Sequence, residues 1–183
     1  MNFVFEKLEL SGLVLIKPKF FVDNRGFFLE TYKKSVFFEN GIETEFIQDN
    51  YSKSDYKVLR GLHFQKAPFE QAKLIRCLKG RIFDVVVDLR KDSKTFKQYK
   101  RIELSEQNQN SLFIPRGFAH GFVVLSETAE VMYKTDNEYN KDSERSINYC
   151  DEELKIDWGI DFEPILSQKD LNSFKFSEIL GEL

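Results

Sequence analysis

Apolar residues along this chain recur mostly at every second position, in short runs separated by Gly, Pro, Asn and Asp, which is the spacing of β-strands. Phe5–Ile16 reads as one or two strands broken at Ser11-Gly12. Phe20–Tyr32 reads as two strands about an Asp23-Asn24-Arg25-Gly26 turn. Ser35–Asn40 is expected to be a short helix, capped by Ser35 and ended by Gly41. Phe46–Tyr51 and Val58–Gln65 return to strand character, and Lys66–Gln71, with Pro68, is a loop. Lys73–Arg90 reads as a hairpin about Lys79-Gly80, with Phe83, Val85, Val87 and Leu89 forming an apolar face. Tyr99–Leu104, Leu112–Leu125, Glu130–Thr135 and Ser146–Tyr149 supply further strands. Residues 105–110 form a polar turn, and residues 154–159 form another around the single Trp158. Only Ser167–Leu180 carries a longer helical pattern, with Ser167 at its cap and Asp170 three residues on. No linker or internal repeat interrupts the chain, so an all-β sandwich or barrel is expected. It would span residues 1–183 as one domain, with short peripheral helices and a C-terminal helical segment.

The stretch Val58–Gln65, VLRGLHFQ, holds one of the two histidines, with Arg60 three residues before it and Gln65 two after. Strict alternation would put Arg60 and His63 on opposite faces, and Gly61 between them offers a bulge that brings both to one side. Leu112–Leu125 repeats the theme, with Arg116, Gly117 and then His120 among apolar neighbours. Gln48 and Asn50 share a parity; two such amides suit either a polar ligand or loop backbone. A single strand histidine is more often structural than an acid or base, and Arg25 and Glu30 read first as surface charges. Lys73, leading into an apolar strand, either snorkels or points its ammonium into a cavity.

Composition narrows the choices. Hydrophobic residues make up 42% of the chain, with 19 phenylalanines, enough for a packed interior. A net charge of −3 speaks against a nucleic-acid partner. The two cysteines, Cys77 and Cys150, are too few for a disulfide framework. The first residues do not read as a signal peptide, and no apolar run approaches a membrane span, so a soluble cytoplasmic protein is expected. Two separate histidines without a His-x-His pair make a poor metal site, and neither a phosphate loop, a dinucleotide fingerprint nor a Gly-x-Ser-x-Gly elbow occurs. Cofactor-free acid–base chemistry remains. An imidazole can take a proton at neutral pH, a tyrosine can return one, and a lysine can steady an enolate oxygen.

Seven ordered segments then carry a resemblance: DNRGFFLETY at 23–32, QDNYSKS at 48–54, VLRGLHFQ at 58–65, KLIRCLKGRIFDVVVDLRKDS at 73–93, IPRGFAHGFVVLSETAE at 114–130, YKTDNEY at 133–139 and LSQKD at 166–170. Together they resemble the dTDP-4-dehydrorhamnose 3,5-epimerases over nearly the whole chain. The resemblance implies a cupin-type β jelly roll, a homodimer, no cofactor and no metal. It also implies a dTDP-sugar substrate, inverted at carbons 3 and 5 beside its keto group on the way to dTDP-L-rhamnose. Matched residue by residue, His63 takes the place of the base, Asp170 its carboxylate partner, Tyr133 the proton donor and Lys73 the enolate-stabilising ammonium. Arg25, Glu30, Gln48, Asn50, Arg60, His120, Glu144 and Lys169 match substrate-binding positions, and Tyr139 a tyrosine that stacks on thymine. The loop at 66–71 and Tyr51, where a histidine often stands, are less typical of the family. A 3-epimerase, a 3,4-ketoisomerase and a non-catalytic nucleotide-sugar-binding module are the alternatives the same fold would allow.

Overall fold

A computed structural model describes residues 2–183. The strands are β1 (Phe3–Lys7), β2 (Val14–Pro18), β3 (Phe21–Asp23), β4 (Gly26–Phe28), β5 (Gln48–Asp55), β6 (Leu59–Gln65) and β7 (Lys73–Lys79) in the first half. β8 (Arg81–Asp88), β9 (Tyr99–Ser105), β10 (Ser111–Ile114), β11 (Phe118–Val124), β12 (Thr128–Thr135) and β13 (Glu144–Ser146) follow. A six-stranded sheet has the order β1-β2-β10-β7-β12-β5, and a five-stranded sheet the order β13-β6-β11-β8-β9; every pairing is antiparallel. Sequence neighbours that lie in opposite sheets give the jelly-roll arrangement expected of a cupin.

Three apolar clusters follow from strand alternation. Between the sheets lie Ile75, Cys77, Ile82, Val86, Phe122 and Val131. The outer face of the five-stranded sheet, with Leu59, Leu62, Val85 and Val123, is covered by the C-terminal residues Leu154, Trp158, Phe176 and Ile179. The outer face of the six-stranded sheet packs on Phe37 of α1 (Lys34–Glu39). Both faces of each sheet are thus covered over much of their area, and the interior is left to a single cluster and a cavity beside it.

Three local expectations are revised. The 73–90 segment is no hairpin: β7 pairs with β10 and β12, while β8 pairs with β9 and β11. Gly80 is instead a corner between sheets, at φ +76°, where an added Cβ would lie 2.1 Å from the Thr128 carbonyl oxygen. The face made by Phe83, Val85 and Val87 looks outward to the C-terminal cover, and the alternate face, carrying Asp84, looks inward. Ser35 does not cap α1, which begins one residue earlier after an uncapped Lys33. The helical pattern at 167–180 is split into α2 (Gln168–Leu171), α3 (Phe176–Ile179) and a 3-10 turn at Leu180–Glu182. The break arises because Phe174 bridges Ile147 beside β13 and the Phe176 N–H donates to the buried Asp151 carboxylate.

Candidate active site

The geometry begins with β6. His120 of β11 faces His63, but Phe122 faces Arg60, so β6 carries one residue more than its partner between these pairs. That is the bulge anticipated at Gly61. It puts Arg60, His63 and Gln65 on the inner face while Leu59, Leu62 and Phe64 pack outward. Gly61 has φ +118°, and a Cβ there would lie 2.5 Å from Gly121 Cα, so only glycine fits.

Arg60 and His63 open onto a cavity of about 570 Å³, the size of a small-ligand site. Asn50, Lys73, His120, Tyr133, Tyr139, Glu144, Lys169 and Asp170 also line it. The two sheets contribute opposite walls, with His63 on β6 of one and Tyr133 on β12 of the other. The walls are thus drawn from strands widely separated in sequence.

His63 Nε2–H donates to Asp170 Oδ1 at 2.6 Å, which leaves Nδ1 with its lone pair free. Asp170 is only 4% exposed, and the Ser167 hydroxyl donates to its other oxygen at 2.8 Å. Its backbone N–H in turn donates to Ser167 Oγ, so Asp170 serves the helix cap and the imidazole together. Burial opposes its charge, but the His63 and Ser167 hydrogen bonds and the nearby His63 and Lys169 outweigh that, and the carboxyl titrates below its ordinary value.

Lys73 is buried, and desolvation brings its ammonium down to about 8 against the opposing pull of Asp84 and Glu144. Burial raises the Tyr133 phenol, assisted by Glu144 and opposed by Arg60, so Tyr133 keeps its proton at neutral pH. His120 Nε2–H donates to Asp84 Oδ2 at 2.8 Å. Burial lowers the proton affinity of His120 despite that carboxylate, with Lys73 and His63 adding to the effect. Glu144 accepts from the Tyr139 hydroxyl at 2.9 Å and pairs with Lys169. Burial works against the charge of Glu144, yet these partners hold its carboxyl below the ordinary value. Tyr139 is raised correspondingly, chiefly by that hydrogen bond.

Three of the residues named from sequence lie elsewhere. Gln48 sits one layer out, donating to Asn50 Oδ1 at 2.9 Å and accepting from the Tyr139 N–H at 3.2 Å. Arg25 lies at the tip of the β3–β4 ribbon, paired with Asp23, and Glu30 accepts from Asn2; neither lines the cavity. Asp84, in contrast, was missed. Between Phe83 and Val85 it reads as the wet side of an amphipathic strand, yet it is fully buried, and its Oδ1 has no hydrogen-bond partner. Among the described residues no three His, Cys, Asp or Glu side chains converge in a metal-holding group.

The family profile described as dTDP-4-dehydrorhamnose 3,5-epimerase matches residues 7–178. A Shigella flexneri protein named dTDP-4-dehydrorhamnose 3,5-epimerase is 49% identical over 171 residues, covering 93% of this chain and 94% of that one. The crystal structure of the Elizabethkingia anophelis epimerase of that name superposes with a TM-score of 0.93 at 49% identity, covering 97% of this chain and 98% of the other. A Legionella pneumophila epimerase, solved in complex with dTDP-4-keto-L-rhamnose, gives a TM-score of 0.93 at 42% identity, with 97% and 94% covered. The chain belongs to the dTDP-4-dehydrorhamnose 3,5-epimerase family.

Proposed function

We propose that this protein inverts carbons 3 and 5 of dTDP-4-dehydro-6-deoxy-D-glucose, giving dTDP-4-dehydro-L-rhamnose without a cofactor. The observation that carries the reading is one cavity with a carboxylate-supported imidazole on one wall, a protonated phenol on the other and a buried ammonium beside them. A hydrogen on either carbon beside the keto group is acidic because its loss gives an enolate. His63 Nδ1 takes that proton, and Asp170 stabilises the imidazolium that forms. The Lys73 ammonium stabilises charge on the C4 oxygen in a site shielded from water. Tyr133 delivers a proton from the opposite face, which inverts the centre; His63 then releases its proton to solvent and the Tyr133 phenolate takes one back, so both are reset for the second carbon. His120, Arg60 and Asn50 hold the sugar diphosphate, Glu144 and Lys169 the mouth of the cavity, and Tyr139 stacks on thymine. The experiment is incubation of the wild-type protein with the 4-keto sugar nucleotide in deuterium oxide, read by proton NMR. Deuterium at both carbons supports the reading; deuterium at carbon 3 alone makes the protein a 3-epimerase, and none refutes epimerisation.

A homodimer accounts for Arg25 and Glu30. The β3–β4 ribbon joins neither large sheet, and Val22, Phe27 and Phe28 on it are 76%, 55% and 66% exposed. Such an apolar arm fits a second copy of the chain, where Arg25 and Glu30 reach the substrate of the partner. Sedimentation should give twice the monomer mass, and F27S/F28S should dissociate it; a fully active monomer refutes this. Single-domain organisation, cytoplasmic residence and supply of rhamnose to glycans such as lipopolysaccharide belong to the same proposal. Among the described residues no helix is long and apolar enough to cross a membrane.

A further inference from the structure

Gln65 lies two residues beyond His63 on the same inner face of β6, 7% exposed, and none of its polar atoms is spare. Its Nε2 donates to the Phe69 carbonyl at 2.6 Å and to the Glu138 carbonyl at 3.1 Å. Its Oε1 accepts from the Asn140 N–H at 2.7 Å. The two contacts at 138 and 140 bracket Tyr139, so one side chain grips the backbone on both sides of that residue. The rest of the loop is held less directly. Gln71 donates to the Asn137 carbonyl at 2.8 Å, and Asn137 donates to the Pro68 carbonyl at 3.2 Å. Gln48 takes the Tyr139 N–H from the other side.

We infer that Gln65 is a positioning residue that fixes the Tyr139 loop relative to His63, and so sets the register between the nucleotide end of the substrate and its reacting carbons. This rests on the assignment of Tyr139 to the nucleotide given above. A rigid strand carries both His63 and Gln65, so the grip on 138 and 140 transmits the position of the strand to the loop. All three polar contacts of Gln65 are to backbone groups of residues 69, 138 and 140, so it acts through the loop. Losing it frees the loop before the nucleotide binds, and binding must then supply the ordering.

The test is a double-mutant cycle of Q65M with Y139A, read as the Kd for dTDP by calorimetry together with kcat and KM for the sugar nucleotide. Q65M keeps the volume and loses all three hydrogen bonds. The loss of three net hydrogen bonds, partly offset by water, puts the expected rise in Kd and KM at about tenfold, with kcat and its pH profile little changed. In the Y139A background the same substitution should cost less than about twofold, because the residue it positions is gone. An equal loss in both backgrounds, or a fall in kcat with KM unchanged, overturns the inference. Should Q65M fail to fold, Q65E carries the test. Its carboxyl still accepts from Asn140 but regains a donor only when protonated, so its KM relative to wild type should fall as pH falls; a pH-independent ratio overturns the inference. A wild-type protein that binds dTDP without exchanging substrate hydrogens would overturn the epimerase reading alone, and the Kd cycle would still decide on Gln65.

Discussion

Replacing Asp170 by Asn probes the dyad with almost no change of shape. The wild-type carboxylate accepts from His63 at 2.6 Å and from Ser167 at 2.8 Å, and it is 4% exposed. Asparagine presents one oxygen and one amide. With the oxygen on Ser167, the amide faces His63 Nε2 and requires that nitrogen to be unprotonated. The proton then sits on Nδ1, the nitrogen that should abstract. A charge-assisted hydrogen bond of this kind is worth about 1.5–3 kcal/mol. The wrong tautomer and the lost charge-assisted hydrogen bond together should lower kcat by about 10²–10⁴, the range spanned by general acid–base catalysis. The assay is deuterium wash-in at carbons 3 and 5, with dTDP affinity and thermal unfolding measured beside it. Binding should persist. Stability should change in a defined direction. The lowered carboxyl of Asp170 contributes stability that is full above about pH 4 and is lost as pH falls through its folded value. D170N lacks that contribution, so the difference between the two proteins should shrink in acid. A rate within about threefold of wild type would refute the dyad.

Lys73, at about 8, should give an alkaline limb near that pH, with activity falling as the ammonium is lost; its charged or titrating neighbours are Asp84, Glu144 and His120. D84N removes a charge that holds the proton on Lys73, so it should move the limb lower, and an unmoved limb assigns it elsewhere. Because burial lowers the folded value, the unfolded chain holds more protons above about 8, and Lys73 should make folding more favourable as pH rises from there toward its ordinary value. G61A meets Gly121 at 2.5 Å with φ +118°, so denaturant unfolding should show a loss of at least about 2 kcal/mol; a change under about 0.5 kcal/mol would contradict the bulge. Y133F should wash deuterium into substrate faster than it forms inverted product, a ratio that NMR and product chromatography read directly; normal product formation would remove Tyr133 as the donor.

The parts of the fold legible in sequence were those written locally. Alternation placed the strands, and a glycine between Arg60 and His63 announced a bulge that was needed to put both on one face. What alternation could not give was the partner of each strand. Lys79-Gly80 looks the same whether it closes a hairpin or turns a corner between sheets, and only the partners β10, β12, β9 and β11 decide. The same ambiguity hid Asp84, because a face with Ile82, Asp84 and Val86 looks more polar than one with Phe83, Val85 and Val87, yet the C-terminal residues cover the second. The helix at 167–180 failed for a tertiary reason, since Phe174 and Phe176 are drawn to Ile147 and Asp151. Convergence of His63 with Asp170, 107 positions apart, came from family resemblance; no spacing rule reaches that far.

The central claim is that one imidazole serves both carbons. H63A, incubated with the 4-keto sugar nucleotide in deuterium oxide, tests it directly. The account predicts no deuterium at carbon 3 or carbon 5 with dTDP affinity retained. Exchange at either carbon at a rate near wild type would contradict it.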